Sequence, residues 1–267
     1  MKYSLNDLKK FKLLNVPKRE ARIFIRKYHY SGYTMPRLTK IILGWYNKND
    51  ELIAVITLGW GTRPLHTIKK LFNNCTTKDY YEIGKMCLHE DLQKNSETIF
   101  LSQVTKYLKK NCPDLLFLFT WSDGIFGKAG YVYQAFNMLY GGYIITDVYS
   151  DNNGKRYHPR TISGIIKKKY GLKKGNALGS RPDFKQRKDL KLNRIKGKQF
   201  KYILPLNKKS KKLIKLSNTN WNVNYPKDKD LSWYLLEHSE KKYKKIFSCP
   251  LYIGEYQNDF KDLPLFN

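Results

Sequence analysis

The chain has 267 residues, 41% of them hydrophobic, which is enough to bury a full core and excludes a disordered tail. Its 51 Lys and Arg against 22 Asp and Glu leave a formal charge of +29, pointing to a polyanionic partner: nucleic acid first, an anionic membrane surface second. Four scattered cysteines (Cys75, Cys87, Cys112, Cys249) give no zinc framework and no disulfide scaffold, and no apolar leader or membrane-length run is found, so a reduced, cytoplasmic setting is expected.

Residues 1–27 are expected to be helical and basic, broken at Pro17, with Leu13, Leu14, Phe24 and Ile25 for packing. Tyr28-His29-Tyr30-Ser31-Gly32-Tyr33 then crowds rings around a glycine, either as a helix end closed by Gly32 or as a functional turn. Residues 39–46 and 51–60 are two strands joined by Asn47-Lys48-Asn49-Asp50, an antiparallel hairpin. Gly59 and Gly61, beside Trp60, would admit a ligand or merely shape a bulge, and Arg63 is a candidate phosphate contact. Residues 66–72 form a short helical piece.

The stretch from Tyr81 to Tyr140 organises the rest. Residues 81–88 and the almost wholly apolar 115–121 (LLFLFTW) are strands. Between them Ile99, Phe100, Leu101, Val104 and Leu108 fall near helical spacing, with Lys106, Lys109 and Lys110 opposite. Strand, crossover helix, strand makes a right-handed βαβ unit, and the two following turns share the sheet edge at which open α/β sheets bind ligands. A short helix over 130–136 and a strand over 142–149 follow.

Residues 155–161 are a basic loop, 162–170 a helix, and 172–193 an extension or linker without clear periodicity. Residues 196–204 read as a strand rejoining the sheet and 208–215 as a basic helix-like run. Residues 151–215 hold 22 Lys and Arg and only 3 acids. A base-composition bias toward Lys, Asn, Tyr and Ile explains part of the excess but not its concentration. With 21 Tyr, 13 Phe and 5 Trp, the cations have rings beside them on which unpaired bases can stack. Candidate nucleic-acid contacts are Arg63, Asn137, Lys155, Arg156, Arg160, Lys167, Lys168, Lys169, Lys196 and Lys198. The expected division is a core over 1–150, a basic DNA-contacting extension over 151–227, and a segment over 228–267 packing on the core.

The element order (helices, hairpin, strand, helix, parallel strand, short helix, last strand) resembles the GNAT acyltransferase fold, an α/β architecture with a central mixed sheet. The turn over 89–96 departs from that fold: it has no glycine and two acids where a pyrophosphate of coenzyme A is normally held by backbone N–H groups. A narrower resemblance rests on HYSG (29–32), EIGKMCL (82–88), KNSET (94–98), WSDG (121–124), the glycines from Gly127 to Gly130, YQAFN (133–137), and later Lys196-Gly197-Lys198 with Tyr202 and Tyr225-Pro226-Lys227. These resemble, in order and spacing over residues 25–227, the Mom family of phage DNA modification proteins. The resemblance implies conversion of adenine in double-stranded DNA to N6-carbamoylmethyladenine, in a bacterial host cytoplasm and as a shield against restriction. It places function on His29, Tyr30 and Asp123, and it brings in iron and acetyl-coenzyme A as possible cofactors.

Asp123 could orient the adenine amine, accept a proton or bind a metal, or it could simply cap the next helix. His29, Tyr30 and Asp123 would make an N/O ligand set suited to iron. Tyr133 is the candidate proton donor, with Asn137 four residues on and able to read an adenine edge. Asn95, Ser96 and Gly127 are the candidate cofactor contacts, and Asn95 or Ser96 is expected to cap the following helix. The base must be flipped into a ring-lined pocket, with Tyr28, Tyr30, Tyr33, Trp60 and Trp121 at hand. A DNA-binding protein without catalysis, and a GNAT-type acyl or aminoacyl transferase acting on another base or amine, stay open beside this reading, as does the oligomeric state.

Overall fold

The computed structural model describes residues 3–30, 35–157, 159–170 and 181–250, with backbone alone for Leu5 and Arg160. Ser31 and Gly32 of the HYSG turn, Tyr33 after it, and 171–180 of the basic extension lie outside the described residues. The chain divides into two compact units. The first comprises 1–124, 128–145 and 198–231; the second comprises 125–127, 146–197 and 232–267.

In chain order the elements are α1 (Leu5–Lys10), β1 (Lys12–Asn15), α2 (Lys18–Tyr28), β2 (Leu38–Tyr46), β3 (Leu52–Trp60), α3 (Pro64–Leu71), β4 (Tyr80–Leu88), α4 (Ser96–Asn111) and β5 (Phe117–Ser122). They continue with α5 (Tyr131–Ala135), β6 (Leu139–Ser150), β7 (Arg156–Tyr157), α6 (Pro159–Tyr170), α7 (Phe184–Asp189), β8 (Asn193–Pro205), α8 (Lys208–Ile214), β9 (Trp233–Leu236) and β10 (Lys244–Ile246).

The first unit is a mixed sheet with helices on both faces, in the order β1-β2-β3-β4-β5-β8. The hairpin, the β4-α4-β5 crossover and the parallel β4/β5 pair are as the sequence led one to expect. The short edge strand β1 is a correction to the all-helical reading of residues 1–27: Lys12-Leu13-Leu14-Asn15 pairs antiparallel with β2. Four residues with one half-buried side chain carry too little periodicity to be separated from helix.

One face of this sheet is covered by α4, whose Phe100, Leu101, Val104 and Leu108 are fully buried against Leu43, Ile56 and Leu118. Each such side chain contributes roughly 2 kcal/mol of transfer free energy. The opposite face carries α2 over Val55 and Cys87, and α3 and α8 over Phe117, Phe119 and Ile203. Among the described residues, no helix is long and apolar enough to cross a membrane.

Two local features shape the centre of the sheet. Thr57 pairs with Lys85 and Leu58 with Ile83, so Gly84 is an extra residue, a bulge in β4. A side chain there would come within 2.4 Å of Pro36. In addition, β4 and β5 pair only from Tyr80↔Phe117 to Ile83↔Thr120. Beyond that point β4 stays with β3 as far as Leu88, and β5 stays with β8 as far as Ser122. The two parallel strands thus part at their C-terminal ends.

In the second unit, Ile162 and Ile166 of α6 pack on Tyr149 and Leu192, and the start of β8 pairs with β9. Asp147 is ion-paired with Arg194 and Arg181. The segment after residue 181, expected to lack structure, contains α7, which is capped by Asp183 with Gln186 answering.

Candidate active site

The parting of β4 and β5 places Lys85 and Asp123 on the two lips of one opening, and the end of α2 delivers His29 and Tyr30 to the same place. The Tyr30 hydroxyl donates to Asp123 Oδ2 at 2.6 Å, and the Gln199 amide donates to Asp123 Oδ1 at 2.9 Å. The His29 ring stacks on Tyr30, with centroids 4.4 Å apart and planes inclined by 27°. Lys128 lies over the other part of this group, 5.7 Å from the Tyr30 ring centroid. Asp123 therefore does not spend its carboxylate on capping the 3-10 turn Gly124–Phe126 that follows. It is held between a phenol and an amide from two distant parts of the chain.

Burial sets the protonation states around it. His29 is 6% exposed, and burial, with the Lys85 ammonium adding to it, lowers its pKa to about 3; the ring is neutral at physiological pH. Burial also lowers the pKa of Lys85, while Asp123 and Cys87 oppose that shift. The Tyr133 hydroxyl is desolvated, sits beside Thr120 and feels Asp123, so its pKa is raised and it keeps its proton. The arrangement is a carboxylate with two neutral donors, a half-buried ammonium, a neutral imidazole and a protonated phenol, all within one unit.

Four members of this group escaped the sequence reading: Lys85, Lys128, Gln199 and Thr120; Glu82, on the same strand as Lys85, escaped it too. Glu82 faces the α3 side of β4. It accepts the Gly61 N–H, and burial pushes its pKa up to about 7. A Cβ at Gly61 would meet that carboxylate at 2.9 Å, so Gly61 is glycine to admit it. The available signal was polar residues inside an apolar strand, Glu82 and Lys85 in EIGKMCL, since a strand covered on both faces holds a charge only where something answers it.

Other candidates lie differently. α5 ends at Ala135, and Asn137 follows it exposed and with a positive φ of 56°; it does not share a helix face with Tyr133. The chain has to turn sharply into β6 there, and asparagine tolerates the left-handed conformation. Neither Asn95 nor Ser96 caps α4 with its side chain: Asn95 has φ 75°, and the Ser96 hydroxyl donates to the Gln93 carbonyl at 2.6 Å. Gly127 adopts φ 74° and belongs to the second unit. Trp60 donates to the Thr77 and Tyr80 carbonyls, and Tyr28 packs between Phe24 and His89. Trp121 packs edge-on against Phe119.

Arg63 is exposed at the start of α3. In the second unit Lys155 and Arg156 lie over the rings of Tyr157 and Phe126, and Lys196 over Tyr243. Lys168 and Lys169 are exposed and Lys167 half-buried in the last turn of α6; the Arg160 side chain is not described. In the first unit Lys198 donates to the Asp230 carbonyl at 2.5 Å and covers the Tyr143 ring. The later motifs are structural: the Gln134 amide donates to the carbonyls of Ala129 and Pro226 and to the Tyr202 hydroxyl, and Lys227 donates to Gln134.

The donors present do not fit the two cofactors raised above. For iron, Asp123 already accepts two hydrogen bonds, Tyr30 spends its proton on that carboxylate, and the Lys85 ammonium stands where a second cation would be repelled. Among the described residues no three His, Cys, Asp or Glu side chains are grouped to hold a metal. For coenzyme A, the turn before α4 carries Glu90 and Asp91, and Glu97 lies in the helix's first turn, so carboxylates surround the N-terminus that would hold a pyrophosphate.

Comparison with solved structures gives a proposed acetyltransferase from Acinetobacter baylyi ADP1, 11% identical over 73% of this chain and 91% of that one, TM-score 0.39. It also gives the GNAT family N-acetyltransferase YhbS from Escherichia coli in complex with CoA, 8% identical over 48% of this chain and 68% of that one, TM-score 0.33. The architecture rests on the strand order and register above, not on likenesses of that size. Methylcarbamoylase mom of Escherichia phage Mu is 29% identical over 194 residues, spanning 73% of this chain and 75% of the relative. The sequence profile of the Mom protein family matches residues 10–227, which takes in the whole candidate site, and the chain belongs to that family.

Proposed function

We propose that the chain is a transferase that modifies adenine in phage DNA, placing a carbamoylmethyl group on N6 of a base flipped out of the duplex. Support comes from family membership and from a relative at 29% identity whose name is methylcarbamoylase. The observation that carries the reading is the Tyr30–Asp123–Gln199 group at the parted ends of β4 and β5. An exocyclic amine is a poor nucleophile and must lose a proton as its new N–C bond forms and the donor's bond from that methylene carbon to its leaving group breaks, the leaving group departing with the bonding electron pair. A carboxylate held by two neutral donors is placed to accept it.

Tyr30 and Gln199 orient Asp123, and the half-buried Lys85 ammonium stabilises the anion. Tyr133, whose proton is retained by desolvation, can hydrogen-bond to developing negative charge on the incoming group. Neutral His29 supports Tyr30 by stacking and leaves the site without a second titrating cation near pH 7. The +29 charge supplies affinity for the duplex.

The reading is tested by digesting plasmid from cells expressing the protein with endonucleases whose sites contain adenine. Protection that disappears with Asp123→Ala is expected. Full cleavage with the wild-type protein, folded and bound to DNA, would favour a binding protein without catalysis.

A further inference from the structure

The sequence places its densest charge in residues 151–215, yet within the first unit a different set of cations adjoins the candidate site. α3 and α8 lie side by side on one face of the sheet: Leu71 accepts from the Ser217 hydroxyl at 2.7 Å and from the Asn218 N–H at 3.0 Å. Their inner residues, Ile68 and Leu71 with Leu213 and Ile214, pack on Phe117 and Ile203. Their outer sides carry Arg63, Lys69 and Lys70 on one helix and Lys208, Lys211 and Lys212 on the other.

β8 connects this face to the site. Alternate residues of a strand share a face, so Gln199, Lys201 and Ile203 point the same way. Ile203 lies under α3, Lys201 is crowded by Lys70, and Gln199 hydrogen-bonds Asp123. Two residues of one strand thus lead from the cations of α3 to the candidate catalytic carboxylate. Burial and the neighbouring Lys70 both lower the pKa of Lys201, so these ammonium groups are held together at a cost.

The acids packed nearby do not relieve that cost. Asp79 accepts the Thr76 N–H and hydroxyl, and Glu82 is held on the Gly61 N–H. Among the described residues, no ion pair involves a cation of α3, α8 or Lys201.

We propose that Arg63, Lys69, Lys70 and Lys201 form the seat for the DNA phosphates flanking the target base, so that the backbone runs across α3 and delivers the flipped nucleotide past Gln199 to Asp123. This rests on the DNA-modifying reading above, and it places the backbone nearest the chemistry on the first unit.

The test is the salt dependence of binding to a short duplex, followed by fluorescence anisotropy without any donor. Each phosphate contact contributes about 0.9 to the slope of log K against log[salt], so Lys70→Gln with Lys201→Gln should reduce the slope by about 1.8. Lys70→Gln alone, at an exposed position where folding is not at stake, should reduce it by about 0.9. Unchanged slopes in both variants would overturn the seat; unchanged slopes with a raised KM for a nucleotide-bearing donor would overturn it by giving these cations to the donor's phosphates. A reduced slope in a protein that leaves adenine unmodified would keep the seat and remove only the enzymatic reading.

Discussion

Glu82→Gln tests whether the half-buried carboxyl beside the site is as desolvated as its surroundings imply. Its pKa rises from 4.5 to about 7, with burial as the largest cause. A carboxyl that binds its proton more tightly when folded makes the fold less stable as pH rises from 4.5 to 7. At 1.36 kcal/mol per pH unit the full cost above pH 7 is roughly 3 kcal/mol, discounted to about 2 kcal/mol because solvent still reaches the group. Gln removes the charge and keeps an oxygen for the Gly61 N–H. The variant should therefore match the wild type at pH 4.5 and exceed it by about 2 kcal/mol at pH 7.5.

His29 sharpens the expectation. Its pKa falls from 6.5 to about 3, so its contribution is present above pH 6.5 and is lost as pH falls. Between pH 6.5 and 4.5 the two groups oppose each other. Urea unfolding at intervals across that window should find the wild type nearly flat and Glu82→Gln losing about 2 kcal/mol on acidification. Parallel curves for the two proteins at every pH would refute the reasoning.

Other outcomes follow from the same geometry. Tyr30→Phe removes one of the two donors on Asp123, a charge-assisted bond worth roughly 1.5–3 kcal/mol, and should slow modification about 10- to 100-fold while costing no more stability than that one bond, so that the protein stays folded at the assay temperature. Gln134→Leu strands the Pro226 carbonyl and removes the oxygen to which Lys227 donates, while the Ala129 carbonyl keeps the Tyr202 hydroxyl, and it should cost about 1–3 kcal/mol of stability in a denaturant titration, with DNA binding per folded molecule unchanged. Neutralising Lys167, Lys168 and Lys169 together should lower the salt slope of DNA binding by up to about 2.7 if all three meet phosphates; no change would place the duplex away from α6.

Much of the fold was legible because its signals are local and periodic. The apolar spacing of Phe100, Leu101, Val104 and Leu108, the run LLFLFTW and the turn residues 47–50 each name an element without help from the rest of the chain. β1 and the early end of α5 were not legible, because both are decided by partners: β2 pairs with the first, and the left-handed turn at Asn137 stops the second. The site was legible only in its polar turns. His29, Tyr30, Asp123 and Tyr133 stand in motifs, whereas Gln199 is 76 residues from the carboxylate it holds and sits in a strand that reads as basic. The roles of Lys85 and Lys201 are set by a bulge and by a neighbouring helix, which no sequence window contains.

The most direct test of the central claim, that the group around Asp123 modifies adenine in DNA, is nucleoside mass spectrometry of plasmid from bacteria producing the protein, with Asp123→Ala alongside. The account predicts a carbamoylmethyl gain on deoxyadenosine in the first sample and none in the second. The same gain in both samples, or a gain on another base alone, would contradict it.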